Sequence, residues 1–290
     1  MKKTFWILIL ILVVGSGCSS SINDKEYYLK QLDLENLFEY SKGSSQTIAF
    51  IDTGISEQTK ELYKERIIDT FNSIENNNNV IDYHGHGTQM VSIASGNGKK
   101  GVWGIAPKSK IIIIKAISEN GNEKSKSILS AIEYAISKKV NIINMSFGSF
   151  VTNHNIVKQI QLATKKNITV VASTGDYGNK DSLFPANIDG VISVQAKNKK
   201  GTIWENSNTS KTDVVAFPGI EINSLTLNSK KVKMNGTSQA TAIASGYIAL
   251  LRDYYQKNNI SFDQNKIIND LKSLNSIQNK DVNYLKLFKK

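Results

Sequence analysis

Four consecutive isoleucines, Ile111 to Ile114, stand between two lysines in the stretch KIIIIKAIS. A strand that is apolar on both faces must be covered on both, as in a parallel sheet clad by helices. The chain supplies strands of the same kind in QTIAFIDTGI, NIINMSFGS, ITVVASTG and GVISVQAK. Helical periodicity marks LENLFEYSKG, HGTQMVSIASG, SILSAIEYAISKKV, NIVKQIQLATKKN and the long NGTSQATAIASGYIALL. The Asn-rich run at 76–79 reads as a turn. Strand and helix alternate, which predicts an α/β fold with a mostly parallel central sheet, right-handed crossovers and flanking helices. Sites in such sheets form beyond the carboxyl ends of the strands. Asp52, Gly148 and Gly175 all fall at that end. No domain boundary is visible, and 290 residues with 40% apolar content suit one large domain.

The formal charge of +11 raises nucleic acid as a partner. The lysines are scattered in pairs without aromatic interleaving, so nucleic acid is not expected. A solvated basic surface, or one lying against anionic lipid, fits better. At the N-terminus, Lys2 and Lys3 precede an apolar run from Phe5 to Val14 and then GSGCSS. This describes an export signal over 1–17, too short for a comfortable membrane span. Cys18 is the lone cysteine, so no internal disulfide can form. Its setting resembles a bacterial lipobox, with Gly15 where leucine is usual. The resemblance implies lipidation of Cys18, a tether over 18–30 and a domain over 31–290. Such a protein sits on the extracytoplasmic face of the cell membrane; plain secretion is the alternative. Acyl chains plus a basic surface make a two-signal anchor. A monomer is expected.

Three histidines exist: His84, His86 and His154. His154 falls in a polar segment and reads as solvated. His84 and His86 with Asp82 suggest a metal site, but a closed site needs about four ligands and no second cluster supplies them. An imidazole base must otherwise be one of these three. Ser238, at the first turn of an apolar helix, reads either as a helix cap or as a nucleophile at the positive end of the helix dipole.

FIDTGI, HGHGT and NGTSQA occur in that order along the chain, and together they resemble the subtilisin family of serine proteases. GVWGIAPKSKIIIIK resembles that family's turn before a core strand, and INMSFGS resembles one wall of its substrate cleft. The likeness runs from Leu34 to Leu251. An α/β-hydrolase elbow is disfavoured, because Ala240 stands at its second glycine. The resemblance implies a three-layer fold and a serine endopeptidase that needs no cofactor for its chemistry. It assigns Ser238 as nucleophile, His86 as base and Asp52 as the carboxylate that orients it. One wall would be Ser146, Phe147 and Gly148, the other Ser173, Thr174 and Gly175. The segment Gly121, Asn122 and Glu123 would pair with substrate backbone.

The sequence also departs from the pattern. Asp176 stands where the family places an asparagine that donates to the oxyanion. A carboxylate cannot donate, and losing that donor costs roughly 10²–10³ in kcat, a magnitude measured on a subtilisin. A desolvated pocket keeping Asp176 protonated, or substitution by Asn179, would restore a donor; otherwise the protein is slow or inactive. Leu183 stands near the floor of the pocket for the residue before the cut, which predicts a small or slender side chain there. Ala242 replaces a common proline. The segment from Ser19 to Lys30 is too short for a folded pro-domain, so unaided folding is expected. No acidic cluster marks a calcium site, and calcium binding stays open. Peptide or protein substrates follow, with leader removal from exported peptides such as lantibiotics as one role. The rival is a catalytically weak or inactive binding or immunity lipoprotein.

Overall fold

A computed structural model describes residues 26–122, 124–178, 181–209, 213–274 and 281–289. Cys18, the export signal and the first part of the tether lie outside the described residues, as do Glu123 and Asn179. Seven strands form the main sheet: β1 (Thr47–Asp52), β2 (Ile67–Asn72), β3 (Lys110–Lys115), β4 (Ile142–Met145), β5 (Thr169–Ser173), β6 (Ile192–Lys197) and β7 (Val214–Pro218). Their spatial order is β2-β3-β1-β4-β5-β6-β7, every neighbouring pair parallel. A separate antiparallel hairpin joins β8 (Ile222–Leu225) to β9 (Lys231–Met234).

The helices are α1 (Tyr27–Leu32), α2 (Leu34–Tyr40), α3 (Glu57–Tyr63), α4 (His86–Ser95), α5 (Ser125–Ser137), α6 (His154–Lys165), α7 (Thr237–Lys257) and α8 (Gln264–Ser273). The isoleucine run explains the layering. Ile111 and Ile113 point into one core with Ile48, Phe50, α4 and α7. Ile112 and Ile114 point into the other with Ala49, Ile51, α5 and α6. Successive side chains of a strand face opposite ways, so one tetrad of isoleucines serves both cores. The expected three-layer α/β fold is the one found.

The helix α7 is buried from Thr237 to Tyr255 apart from Ser238, with a long apolar middle as a helix crossing the inside of a layer needs. It approaches α4 closely at Gly246, where a Cβ would lie 2.6 Å from the Ile105 Cβ and 3.0 Å from the Ala94 carbonyl oxygen. The lower end is held by charge. Asp253 accepts from the Ser41 hydroxyl (2.7 Å), the Ser45 N–H (2.9 Å) and Lys257 (2.6 Å). Burial works to raise its pKa, but those bonds win and hold it at about 2. Among the described residues no helix is long and apolar enough to cross a membrane.

Candidate active site

Asp52 ends β1, 1% exposed, and a buried carboxylate needs partners. It has three polar contacts: the Thr53 N–H donates at 2.7 Å, and the His86 Nδ1 lies 2.8 and 3.0 Å from its two oxygens. His86 opens α4, and its side chain is 24% exposed. The residue after it must be glycine, because a Cβ on Gly87 would collide with the Gly54 carbonyl and press on Asp52. The preceding turn is pinned by Asp82, which accepts from the N–H groups of His84, Gly85 and Thr88 and from the Thr88 hydroxyl. Burial opposes ionisation of Asp82, yet those bonds, with the Thr53 hydroxyl, hold its carboxyl below the usual range. For His86, burial disfavours the cation; the charges of Asp52, Asp82 and Asp176, with the Asp52 bond, outweigh that and raise its pKa.

Ser238 is the second residue of α7. Its Oγ donates to the Ser146 carbonyl at 2.7 Å, while the Ser146 hydroxyl donates to the Ser238 carbonyl and to Asn144, both at 3.1 Å. Asn144 in turn donates to Ser245 on α7 at 2.9 Å. Phe50 lies opposite Asn144 in the β1–β4 register, so Asp52 at the end of β1 and Ser146 just past the end of β4 leave the same carboxyl edge of the sheet. Both helices begin at this edge of the sheet, and they touch at Ala94 and Gly246, each eight residues beyond His86 and Ser238. Equal lengths of helix, about 12 Å each, carry the imidazole and the alcohol to one level. The structure thus bonds Asp52 to His86 and sets the Ser238 hydroxyl, turned to the Ser146 carbonyl, at the start of the neighbouring helix α7.

Asp176 corrects one expectation. It is exposed rather than enclosed in a desolvated pocket. Its Oδ1 accepts from the Thr237 N–H at 2.8 Å and the Thr237 hydroxyl at 2.7 Å, so it caps the first turn of α7. Gly121 and Asn122 correct another. The segment is a turn, not an extended edge: the Gly121 N–H donates to the Ser118 carbonyl, and the Asn122 N–H to the Ser118 hydroxyl. Those donors are therefore already paired. His84 is exposed, its ring 6.3 Å from that of His86, and His154 is the exposed first residue of α6. Among the described residues no three His, Cys, Asp or Glu side chains gather as metal ligands.

The segments 146–148 and 173–175 flank Leu183, which is 7% exposed. A Cβ on Gly148 would lie 2.7 Å from the Leu183 Cβ, and one on Gly175 would lie 2.9 Å from its Cδ1. The Leu183 N–H donates to Thr174 at 2.9 Å, and Ser149 exchanges backbone bonds with Phe184. The leucine fills the slot between the two segments. Sequence reasoning missed the residues two beyond each glycine: Phe150 and Tyr177 are 70% and 62% exposed, with ring centroids 5.3 Å apart. Two lone aromatics in separate loops carry no periodic signal, so only folding reveals them as a pair.

The sequence model of the subtilase family, Peptidase S8, matches residues 43–279. The chain belongs to the subtilase family. This subtilase is 32% identical over 250 residues to the thermophilic serine proteinase of Bacillus sp. strain AK1, covering 83% of this chain and 62% of that protein. It is 30% identical over 244 residues to the minor extracellular protease Epr of Bacillus subtilis strain 168, covering 83% of this chain and 37% of that one. It therefore spans less than two thirds of the length of either relative. Among solved structures, the prenylagaramide maturation protease PagA superposes with a TM-score of 0.75 at 26% identity, covering 88% of this subtilase and 96% of PagA.

Proposed function

We propose that this subtilase is a serine endopeptidase whose nucleophile is Ser238. The observation that carries the reading is the bonded Asp52–His86 pair at the start of α4, beside α7, whose first turn carries the Ser238 hydroxyl. Ser238 turns from the Ser146 carbonyl to the His86 Nε2, gives up its proton and attacks the scissile carbonyl. Three carboxylates that raise the proton affinity of His86 stabilise the imidazolium formed in that step. His86 then protonates the leaving amine, and water hydrolyses the acyl-enzyme by the same route. The backbone N–H and the dipole at the start of α7 face the developing oxyanion. Leu183, with Phe150 and Tyr177 at the rim, makes the subsite before the cut a shallow apolar cup suited to a small or slender side chain.

The cellular role is leader removal from exported peptides, with the chain held on the extracytoplasmic face by lipid on Cys18. The likeness to PagA, named a maturation protease, supports processing of peptide precursors. Asp176 favours a second reading, a subtilase that binds peptide and cuts it slowly or not at all, because its carboxylate replaces a donor. A fluorophosphonate probe followed by intact mass separates the two. The expected result is one adduct, lost in Ser238→Ala. No adduct on the folded chain would overturn the protease reading in favour of the binder.

A further inference from the structure

Away from the cleft, seven exposed lysines converge on the point where the described chain begins. They are Lys99 and Lys100 in the turn after α4, Lys199 and Lys200 after β6, and Lys230, Lys231 and Lys233 on the β8–β9 hairpin. Contacts of Lys199, Lys231 and Lys233 tie the three segments together. Lys231 pairs with Glu26 at 2.5 Å, and its stem lies 4.0 Å from the position of a Cβ on Gly101, beside the Lys99–Lys100 turn. Lys199 pairs with Glu221 at 2.7 Å and lies 5.6 Å from the Tyr27 ring centroid, and Lys233 shares Glu221 at 3.5 Å.

Elsewhere the ion pairs match lysines and carboxylates one to one, as Lys138 with Asp69, Lys257 with Asp253, Lys266 with Asp270 and Lys272 with Asp213. Here, among the described residues, three of the lysines share two carboxylates, Glu26 and Glu221, and most of the seven stand in turns and a hairpin rather than at helix carboxyl ends, where the dipole alone would favour them. Excess exposed positive charge repels itself unless something negative covers it.

We propose that this face docks on an anionic bilayer. The position of the N-terminal chain argues for that occupant. Glu26 sits inside the patch, only eight positions after Cys18, at most about 29 Å of extended chain. The apolar run from Phe5 to Val14 lies just beyond. Whatever holds that segment at a membrane brings this face to it. Lys233 is five residues from Ser238, at most about 18 Å along the chain, so docking sets the crevice near the bilayer, where exported peptides emerge. The inference rests on the anchored part of the reading above, not on its chemistry.

The test is flotation of the full chain with vesicles of phosphatidylcholine, with and without phosphatidylglycerol. Each lysine near an anionic surface contributes roughly a fivefold factor, lost within a Debye length. The wild type should prefer the anionic vesicles at least about tenfold, and high salt should abolish the preference. Glutamine at Lys100, Lys200, Lys230 and Lys233 together should remove it while binding to neutral vesicles and probe labelling persist. Glutamine at Lys138, Lys139, Lys165 and Lys166 should leave it intact. An unchanged preference in the first variant, or equal losses in both, overturns the proposal. So does competition by polyglutamate in a chain that shows no lipid preference, which would mark the face as a site for acidic peptides. Loss of neutral-vesicle binding in Cys18→Ala tests the anchor separately.

Discussion

Replacing Asp176 by asparagine changes one atom and turns an acceptor at the start of α7 into a donor. The amide oxygen keeps both Thr237 bonds, while the nitrogen takes the place of the other carboxylate oxygen and can serve the oxyanion. In Asp176→Asn, kcat should rise by roughly 10²-fold. Losing that negative charge also lowers the His86 pKa, so the rising limb of the kcat/KM profile should move to lower pH. Steady-state rates across pH check both, and an unchanged kcat and limb would mean that another group serves the oxyanion. Leu183→Gly opens the slot between Gly148 and Gly175. A peptide library should then show phenylalanine or tyrosine before the cut gaining about tenfold over alanine, whereas the wild type should prefer the small residue. A wild-type preference for phenylalanine or tyrosine would defeat the cup. The side chains proposed to react are legible in sequence because each sits in its own local motif, FIDTGI, HGHGT or NGTSQA. The surroundings of Asp176 are not, since its exposure is decided by segments distant in the chain. The turn at Gly121 was open to reading, because Asn120-Gly121 is itself a turn signal.

The helix α7 links chemistry to stability. Its upper end presents Ser238 and its lower end carries Asp253, whose folded pKa of about 2 lies below the ordinary value of about 3.9. A depressed carboxylate adds stability above its unfolded pKa, here about 2–3 kcal/mol, and loses it as pH falls from about 4 through about 2. Asp253→Asn should therefore be destabilised by about 2 kcal/mol near neutral pH and match the wild type near pH 2; denaturant titrations across that range decide it. At Gly246, alanine must displace Ile105 or the Ala94 backbone, which should cost about 1–3 kcal/mol and lower the thermal midpoint. The buried strands were visible as apolar runs. Strand β2 was not, because as an edge strand it is half exposed and mixes Asp69 and Thr70 with its isoleucines. Strand β7 was hidden by Pro218, which is tolerated because β7 is the opposite edge.

At the scale of the whole molecule, two cores clamp one sheet and deliver a carboxylate, an imidazole and an alcohol to one edge from positions 52, 86 and 238. The alternation of strands and helices made that architecture readable. The collection of seven lysines around Glu26 was not, since their sequence positions run from 99 to 233. Residues acting as one unit fail as one unit. The decisive measurement is kcat for Ser238→Ala, His86→Ala and Asp52→Ala singly and for all three combined, on a peptide the wild type cleaves. Loss of Ser238 or His86 alone should lower kcat as far as the triple change does, by about 10⁶-fold as measured on a subtilisin. Losses that instead add from one variant to the next, or cleavage that survives without Ser238, would contradict a shared catalytic device at this crevice.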